Sequence, residues 1–429
     1  MQVFRFGSFY LLVRALPKYD FGVWTLFVVI ATVYEYVRMS VIQQGLVRYL
    51  AASEDPAHRA RINTASLLLH LVYTLVGTLL LGLLGRYAGA IWEMPELGGL
   101  LYQYLLVSVL LLPFLHFNIL QQANFQFGGI LLSSVVRQGL FFAAVLYHYV
   151  QGSWTWTLAD LVWIQVYSAA LASVVSWLAS WPWLQFSRHL DPVWLGRLFT
   201  YSVFVAGTSL SAMLIKNLDQ LFLGIWARAD RLAGYGTSVR IAYLVEVPSQ
   251  AMAAVLFPQS AYRMAREGEE AISYLYEKSV GIILALIVPA LLLVFIFPGQ
   301  VLHIVAGDRY LDMAPVLRIT LLGALFVPFA RQISTILDAC GRPDQHFYLS
   351  AGTALAGVAI HYVLIRQGEV VGAAWSMVLT QAIFFVAGNT LLYHYLGVRP
   401  LRIFMHTGGV YSNGFRLLWR YVRSLWVRR

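Results

Sequence analysis

Apolar runs separated by short polar turns set the plan of this chain. Twelve can be drawn, at residues 1–16, 21–50, 62–84, 97–117, 129–150, 158–184, 199–226, 232–261, 280–297, 314–337, 348–365 and 371–396. Most approach the ~20 residues that an α-helix needs to cross a bilayer. Several are longer, which implies tilt or extension beyond the hydrocarbon. The connections are short and leave no room for a soluble domain. One polar break, 185–196, divides the runs into two sets of six. The pattern predicts an all-α polytopic membrane protein of about 12 transmembrane helices. An N-terminal six-helix lobe covers 1–190, a C-terminal lobe 191–396, and a tail 397–429. The run 1–16 holds too few apolar residues to span alone. The expectation is a truncated first helix whose native start lies upstream, or an unusually short one.

The arginines orient the spans. Counted from an inside start, one set of turns holds Arg48, Arg59, Arg61, Arg188, Arg197, Arg263, Arg266, Lys278 and Arg342. The tail adds Arg399, Arg402, Arg416, Arg420, Arg423, Arg428 and Arg429. The opposite turns hold fewer: Lys18, Arg86, Arg228, Arg231, Arg309 and Arg366. Positive charge is retained inside, so both termini are expected in the cytoplasm. The stretch Phe415 to Arg429 alternates apolar and basic residues at helical spacing, as an interfacial helix on the inner leaflet would. A weak repeat relates the halves. Asp20-Phe21-Gly22-Val23-Trp24 opens the second span and Ala233-Gly234-Tyr235-Gly236 the eighth, with Glu35 and Glu246 at matching depth. Same-direction halves imply a pseudo-two-fold axis along the membrane normal.

Composition agrees with a membrane protein: 59% of the 429 residues are hydrophobic and 12% charged, against roughly half and a quarter in soluble domains. The net charge of +10 is placed by the loop arginines beside anionic lipid, so nucleic acid is not expected as a partner. A single cysteine, Cys340, excludes an intrachain disulfide and a Cys-based metal site. No G-x-x-x-x-G-K-[ST] loop, H-E-x-x-H pair or nucleophile elbow occurs, so neither an enzyme nor a bound cofactor or metal is expected. His70, His116, His148 and His361 fall singly in or near spans and read as hydrogen-bonded packing residues.

What remains is charge inside the spans. A charged side chain at mid-membrane costs at least ~2.5–3.5 kcal/mol and usually faces a protein interior or a watery cavity. Arg38, Arg137, Lys216, Arg240, Arg318 and Arg331 are the candidate cavity cations, with Glu35, Asp219 and Glu246 as paired or coupling acids. Lys216 and Asp219, three apart, share a helix face. Such a lining suits a ligand with several negative charges, because Arg forks match phosphate oxygens. The competing reading is a set of buried ion pairs, such as Glu35 with Arg38 or Asp219 with Lys216. Pro248 falls within the eighth span and reads as a kink and candidate hinge.

These landmarks carry a resemblance. Leu12-Val-Arg14 through Phe21-Gly22-Val-Trp24, Gly45-Leu-Val-Arg48-Tyr-Leu-Ala51, Asp219-x-x-x-x-Gly224, Gly234-Tyr235, Pro248 and Phe257-Pro258 come first. Gly307-Asp-Arg-Tyr310, Ala314-Pro-Val-Leu-Arg318, Gly341-Arg342 and Gly368-Glu-Val-Val-Gly372-Ala-Ala374 follow. In this order they resemble the oligosaccharide-lipid flippases of the multidrug/oligosaccharidyl-lipid/polysaccharide exporter superfamily, the type that carries O-antigen and exopolysaccharide repeat units. The resemblance implies two six-helix lobes in a MATE-like V that opens alternately to either side of the bacterial cytoplasmic membrane. It implies a substrate too, a polyprenyl-pyrophosphate-linked oligosaccharide moved from the inner to the outer leaflet. Membrane lipids, a polysaccharide polymerase and glycosyltransferases are the implied partners. A MATE-like small-molecule exporter and a non-transporting membrane scaffold are the alternatives; the former would want an acidic, aromatic cavity.

Overall fold

The computed structural model describes residues 2–51, 53, 55–152, 155–399 and 401–412, and among these every regular element is helical. In order they are α1 (Gln2–Ala15), α2 (Lys18–Ala51), α3 (Pro56–Ile91), α4 (Pro95–Ala123), α5 (Phe127–Val150), α6 (Leu158–Ser180), α7 (Pro192–Trp226), α8 (Ala229–Ala242) and α9 (Glu246–Glu267). Then come α10 (Glu269–Ile296), α11 (Pro298–Ala306), α12 (Ala314–Ala324), α13 (Val327–Ala339), α14 (Pro343–Leu396) and α15 (401–412). Among the described residues, ten helical segments are long and apolar enough to cross a membrane. One of them, α14, is two spans in itself. Glu369 takes a positive φ of 43° and the chain folds back, so tightly that a Cβ on Gly372 would stand 1.9 Å from the Leu364 carbonyl oxygen.

The predicted spans fall on these helices, with two refinements. The eighth is broken at a 3-10 turn, Tyr243–Val245, between α8 and α9. The tenth is broken between α12 and α13. Pro248 thus lies in the first turn of α9, where its missing N–H is least costly, rather than in the middle of a continuous helix. The described start of the tail is a packed helix. α15 lies along α10, with the Thr407 and Tyr411 hydroxyls donating to the Gly281 and Ala285 carbonyls at 3.2 and 2.7 Å. Phe415 to Arg429, read as the interfacial helix, lies outside the described residues.

The chain separates into two compact units, Met1–Gly236 and Thr237–Arg429. In the first, α4 is central and packs on α2, α3 and α6. Its seam with α6 is built from small and hydroxyl side chains. Ala169 and Ala172 are fully buried, and Ser173, Ser176 and Ser180 donate to the α4 carbonyls of Leu110, Phe114 and Phe117. Hydrocarbon gives helices no hydrophobic reason to associate, so close approach and interhelical hydrogen bonds supply the attraction. The N-terminal end of α2 meets the start of α8, where a Cβ on Gly22 would stand 1.9 Å from the Ala229 carbonyl oxygen. Gly22 and Gly236, landmarks of the weak repeat, are therefore contact points within one unit.

In the second unit α9 packs on α10 and α13, and α12 and α13 pack on α14. Buried polar pairs stitch it. Gln332 donates to the Ser249 carbonyl at 2.9 Å, and the Tyr276 hydroxyl donates to Asn389 at 3.0 Å. Outward faces are apolar: on α3, Leu75, Leu79 and Leu83 are each more than half exposed. An exposed apolar surface of that extent belongs in lipid.

A buried ion pair at the wall of an apolar cavity

The candidate site in the first unit starts from the spacing of Glu35 and Arg38. Three residues apart on α2, they share a face, and Arg38 Nη2 donates to Glu35 Oε2 at 2.7 Å. Arg38 is buried. Its Nη1 donates to the Ser108 carbonyl at 2.7 Å and to the Ser108 hydroxyl at 2.9 Å on α4. Tyr34 stacks its ring 5.2 Å from the guanidinium and bonds Ser108 at 2.6 Å. The second Glu35 oxygen accepts from Tyr104 at 3.2 Å. The pair is thus held by hydrogen bonds on both sides, the condition under which a buried ion pair is tolerated. One donor is left over, because Arg38 Nε has no hydrogen-bond partner.

Beside the pair lies a cavity of about 610 Å³ bounded by α2, α3 and α7. Val33, Val37, Val41, Leu81 and Ala206 line it, and its polar side chains are Arg38, Tyr34, Tyr73, Ser202 and the indole of Trp92. Trp92 is already committed, donating to the Leu221 carbonyl at 3.1 Å. An apolar chamber with a guanidinium at its wall can hold an amphiphile whose polar end is anionic.

The remaining candidates are placed as follows. Arg137 lies over the Phe114 ring at 5.3 Å, and Tyr104 is within electrostatic range of both Arg137 and Arg38. Glu35, Arg38 and Arg137 therefore gather around one tyrosine. Asp219 is buried and accepts from the Tyr235 hydroxyl at 2.5 Å and the Gln220 N–H at 2.8 Å. Lys216, one turn earlier on α7, is half-buried. In the second unit, Arg240 ends α8, and Glu246 accepts from Gln250 at 3.0 Å. Arg318 is exposed and donates to the Phe295 carbonyl at 3.1 Å, and Arg331 is exposed. The sequence reading missed Ser108, Tyr104 and Tyr34. Nothing in a serine 70 positions from Arg38 marks it as a partner.

The histidines correct that reading in one respect. His148 and His361 are hydrogen-bonded, to the Thr155 N–H and the Gly357 carbonyl. His70 and His116 are not single. Their rings face each other with centroids 5.7 Å apart.

A profile of the polysaccharide biosynthesis protein family matches residues 11–315. The chain belongs to this family. A probable low-salt glycan biosynthesis flippase, Agl15 of Haloferax volcanii, is 24% identical over 201 residues, covering 46% of this chain and 41% of that protein. The chain's match spans about two fifths of the length of the curated relatives. Two solved structures carry the same fold. The lipid II flippase MurJ in an inward closed conformation aligns at a TM-score of 0.75 and 11% identity, covering 95% of this chain and 88% of that one. An inward-facing MATE multidrug transporter of the MOP superfamily aligns at 0.72 and 15%, covering 92% and 95%. This polysaccharide biosynthesis protein is an all-helical, multi-pass membrane protein with the MurJ and MATE fold.

Proposed function

We propose that this protein is a flippase for a polyprenyl-pyrophosphate-linked oligosaccharide, moving it from the inner to the outer leaflet by alternating access. The observation that carries the proposal is the apolar cavity with the Arg38 guanidinium at its wall. Those are the two chemistries of such a lipid, a hydrocarbon chain and an anionic diphosphate. A charge-assisted hydrogen bond from the Arg38 guanidinium to a phosphate oxygen would contribute about 1.5–3 kcal/mol. Family membership supports the biosynthetic setting, with glycosyltransferases and a polymerase acting before and after translocation in the cytoplasmic membrane. Arg137, Lys216, Arg240, Arg318 and Arg331 are proposed as further cations along the route, and Pro248 as the hinge beside the 3-10 break.

The test is reconstitution into vesicles containing a fluorescent lipid-linked oligosaccharide, with outer-leaflet substrate counted by a membrane-impermeant quencher. Translocation well above that of empty vesicles is expected, and its loss in Arg38→Gln. A native protein that moves no such lipid overturns the proposal. Transport of a cationic amphiphile instead assigns the chain to the small-molecule exporters, a reading that the mostly apolar lining also accommodates.

A further inference from the structure

His70 on α3 and His116 on α4 are both fully buried. All four of their ring nitrogens are without hydrogen-bond partners, as is the Thr74 hydroxyl one turn along from His70. Buried polar side chains in folded proteins are nearly always hydrogen-bonded, so four unspent nitrogens in one place need a ligand. A neutral imidazole carries one donor and one acceptor. An N–H···N bond of about 2.9 Å between two rings sets their centroids about 5 Å apart. From the observed 5.7 Å and 55° tilt, closing that bond needs the rings to approach by about half an ångström as well as to turn.

Charges near the pair come from few elements. α2 brings Arg38, within electrostatic range of His70 and itself held by Glu35. α4 carries Tyr104 farther along, and α5 brings Arg137, laid over Phe114. α6 offers Ser173, Ser176 and Ser180, all committed to α4 carbonyls. α7 brings Arg197, laid over Trp194, and Ser202, which donates to the Val41 and Leu198 carbonyls. On the far side lies an apolar cluster that includes Leu69, Ile119, Leu120 and Leu198. None of these groups occupies the histidine nitrogens.

We propose that His70 and His116 form one proton-binding site, in which a single added proton is shared between the rings as an imidazole–imidazolium pair. One nitrogen lone pair takes the proton, an N–H···N bond closes between the rings, and no other bond changes. The charge so gained lies beside Arg38. Resting on the flippase proposal, it follows that proton uptake strengthens anion binding there, and by linkage that anion binding draws a proton in.

The site is tested on the native chain in nanodiscs with ¹⁵N-labelled histidine. The His70 and His116 ring signals, assigned by their loss in His70→Gln and His116→Gln, are expected to move together at a common midpoint as pH falls. Independent midpoints, or rings neutral throughout the range over which histidine ordinarily titrates, overturn the site. The coupling is tested with farnesyl pyrophosphate as the probe. Its affinity is expected to fall on the order of tenfold as pH rises through the midpoint, and this dependence is lost in the double Gln variant. Binding that is independent of pH in the native protein overturns the coupling while the shared titration still stands. A native protein that binds no farnesyl pyrophosphate overturns the anion-site reading instead.

Discussion

At the scale of single residues, Arg38 is both a proposed ligand group and a structural one, and the two roles separate experimentally. Removing it leaves the part-buried Glu35 carboxylate uncompensated, at a cost of up to the roughly 3–5 kcal/mol of a fully buried charge. Arg38→Ala is therefore expected to lower the midpoint of thermal unfolding in detergent markedly. Adding Glu35→Gln should recover most of that loss without restoring translocation. If Arg38→Ala unfolds like the native protein, the ion pair contributes little to folding. The i, i+3 spacing made this pair legible from sequence. Its surroundings were not, because Ser108 and Tyr104 come from another helix and hydroxyl side chains carry no periodic signal. The His70–His116 pair was hidden for the same reason: two histidines 46 positions apart become neighbours only when α3 packs on α4.

At the scale of helices, the packing depends on a few close approaches, and their costs are unequal. Gly22→Ala places a methyl group against the Ala229 carbonyl, a backbone atom that cannot rotate away. Loss of folded protein on size-exclusion chromatography is expected. Ser176→Ala removes hydroxyl bonds at 2.9 and 3.4 Å from the α4–α6 seam. Such bonds between membrane helices average only about 0.6 kcal/mol, so a near-native elution profile is expected. Equal effects from the two would mean that the seam, not the α2–α8 contact, limits folding. Helix positions were legible because runs of about 20 apolar residues leave few other structures in lipid. The breaks at Tyr243–Val245 and between α12 and α13 were not. A 3-10 turn changes hydrogen-bond register without changing hydropathy.

For the whole molecule, the arginine distribution predicts an orientation for every span from one counting rule, and that expectation is open to direct test. With Cys340 replaced by Ser, a cysteine at Asp55 should label only after permeabilisation, and one at Glu93 in intact cells. Both positions are exposed, in the connections flanking α3, so failure to label cannot be blamed on burial. Labelling of position 55 from outside would invert the topology and with it the proposed direction of transport.

α15 has one more implication, for how the described end of the chain is fastened. Thr407 meets Gly281 and Tyr411 meets Ala285, so α15 runs in the same direction as α10. At 1.5 Å per residue, Ala285 lies about 24 Å along α10 from Glu269. The N-terminal end of a helix carries a partial positive charge that a nearby carboxylate stabilises. Glu277 of α10, buried, accepts the Arg399 N–H at 2.8 Å, close to where α15 begins. This carboxylate is expected to fasten the start of α15. Glu277→Gln should loosen α15 and speed trypsin cleavage at Arg399 or Arg402 in folded protein, while cleavage at Arg59 keeps its native rate. Resistance to a protease near the described end of the chain would then be set by a single buried acid in the first third of α10.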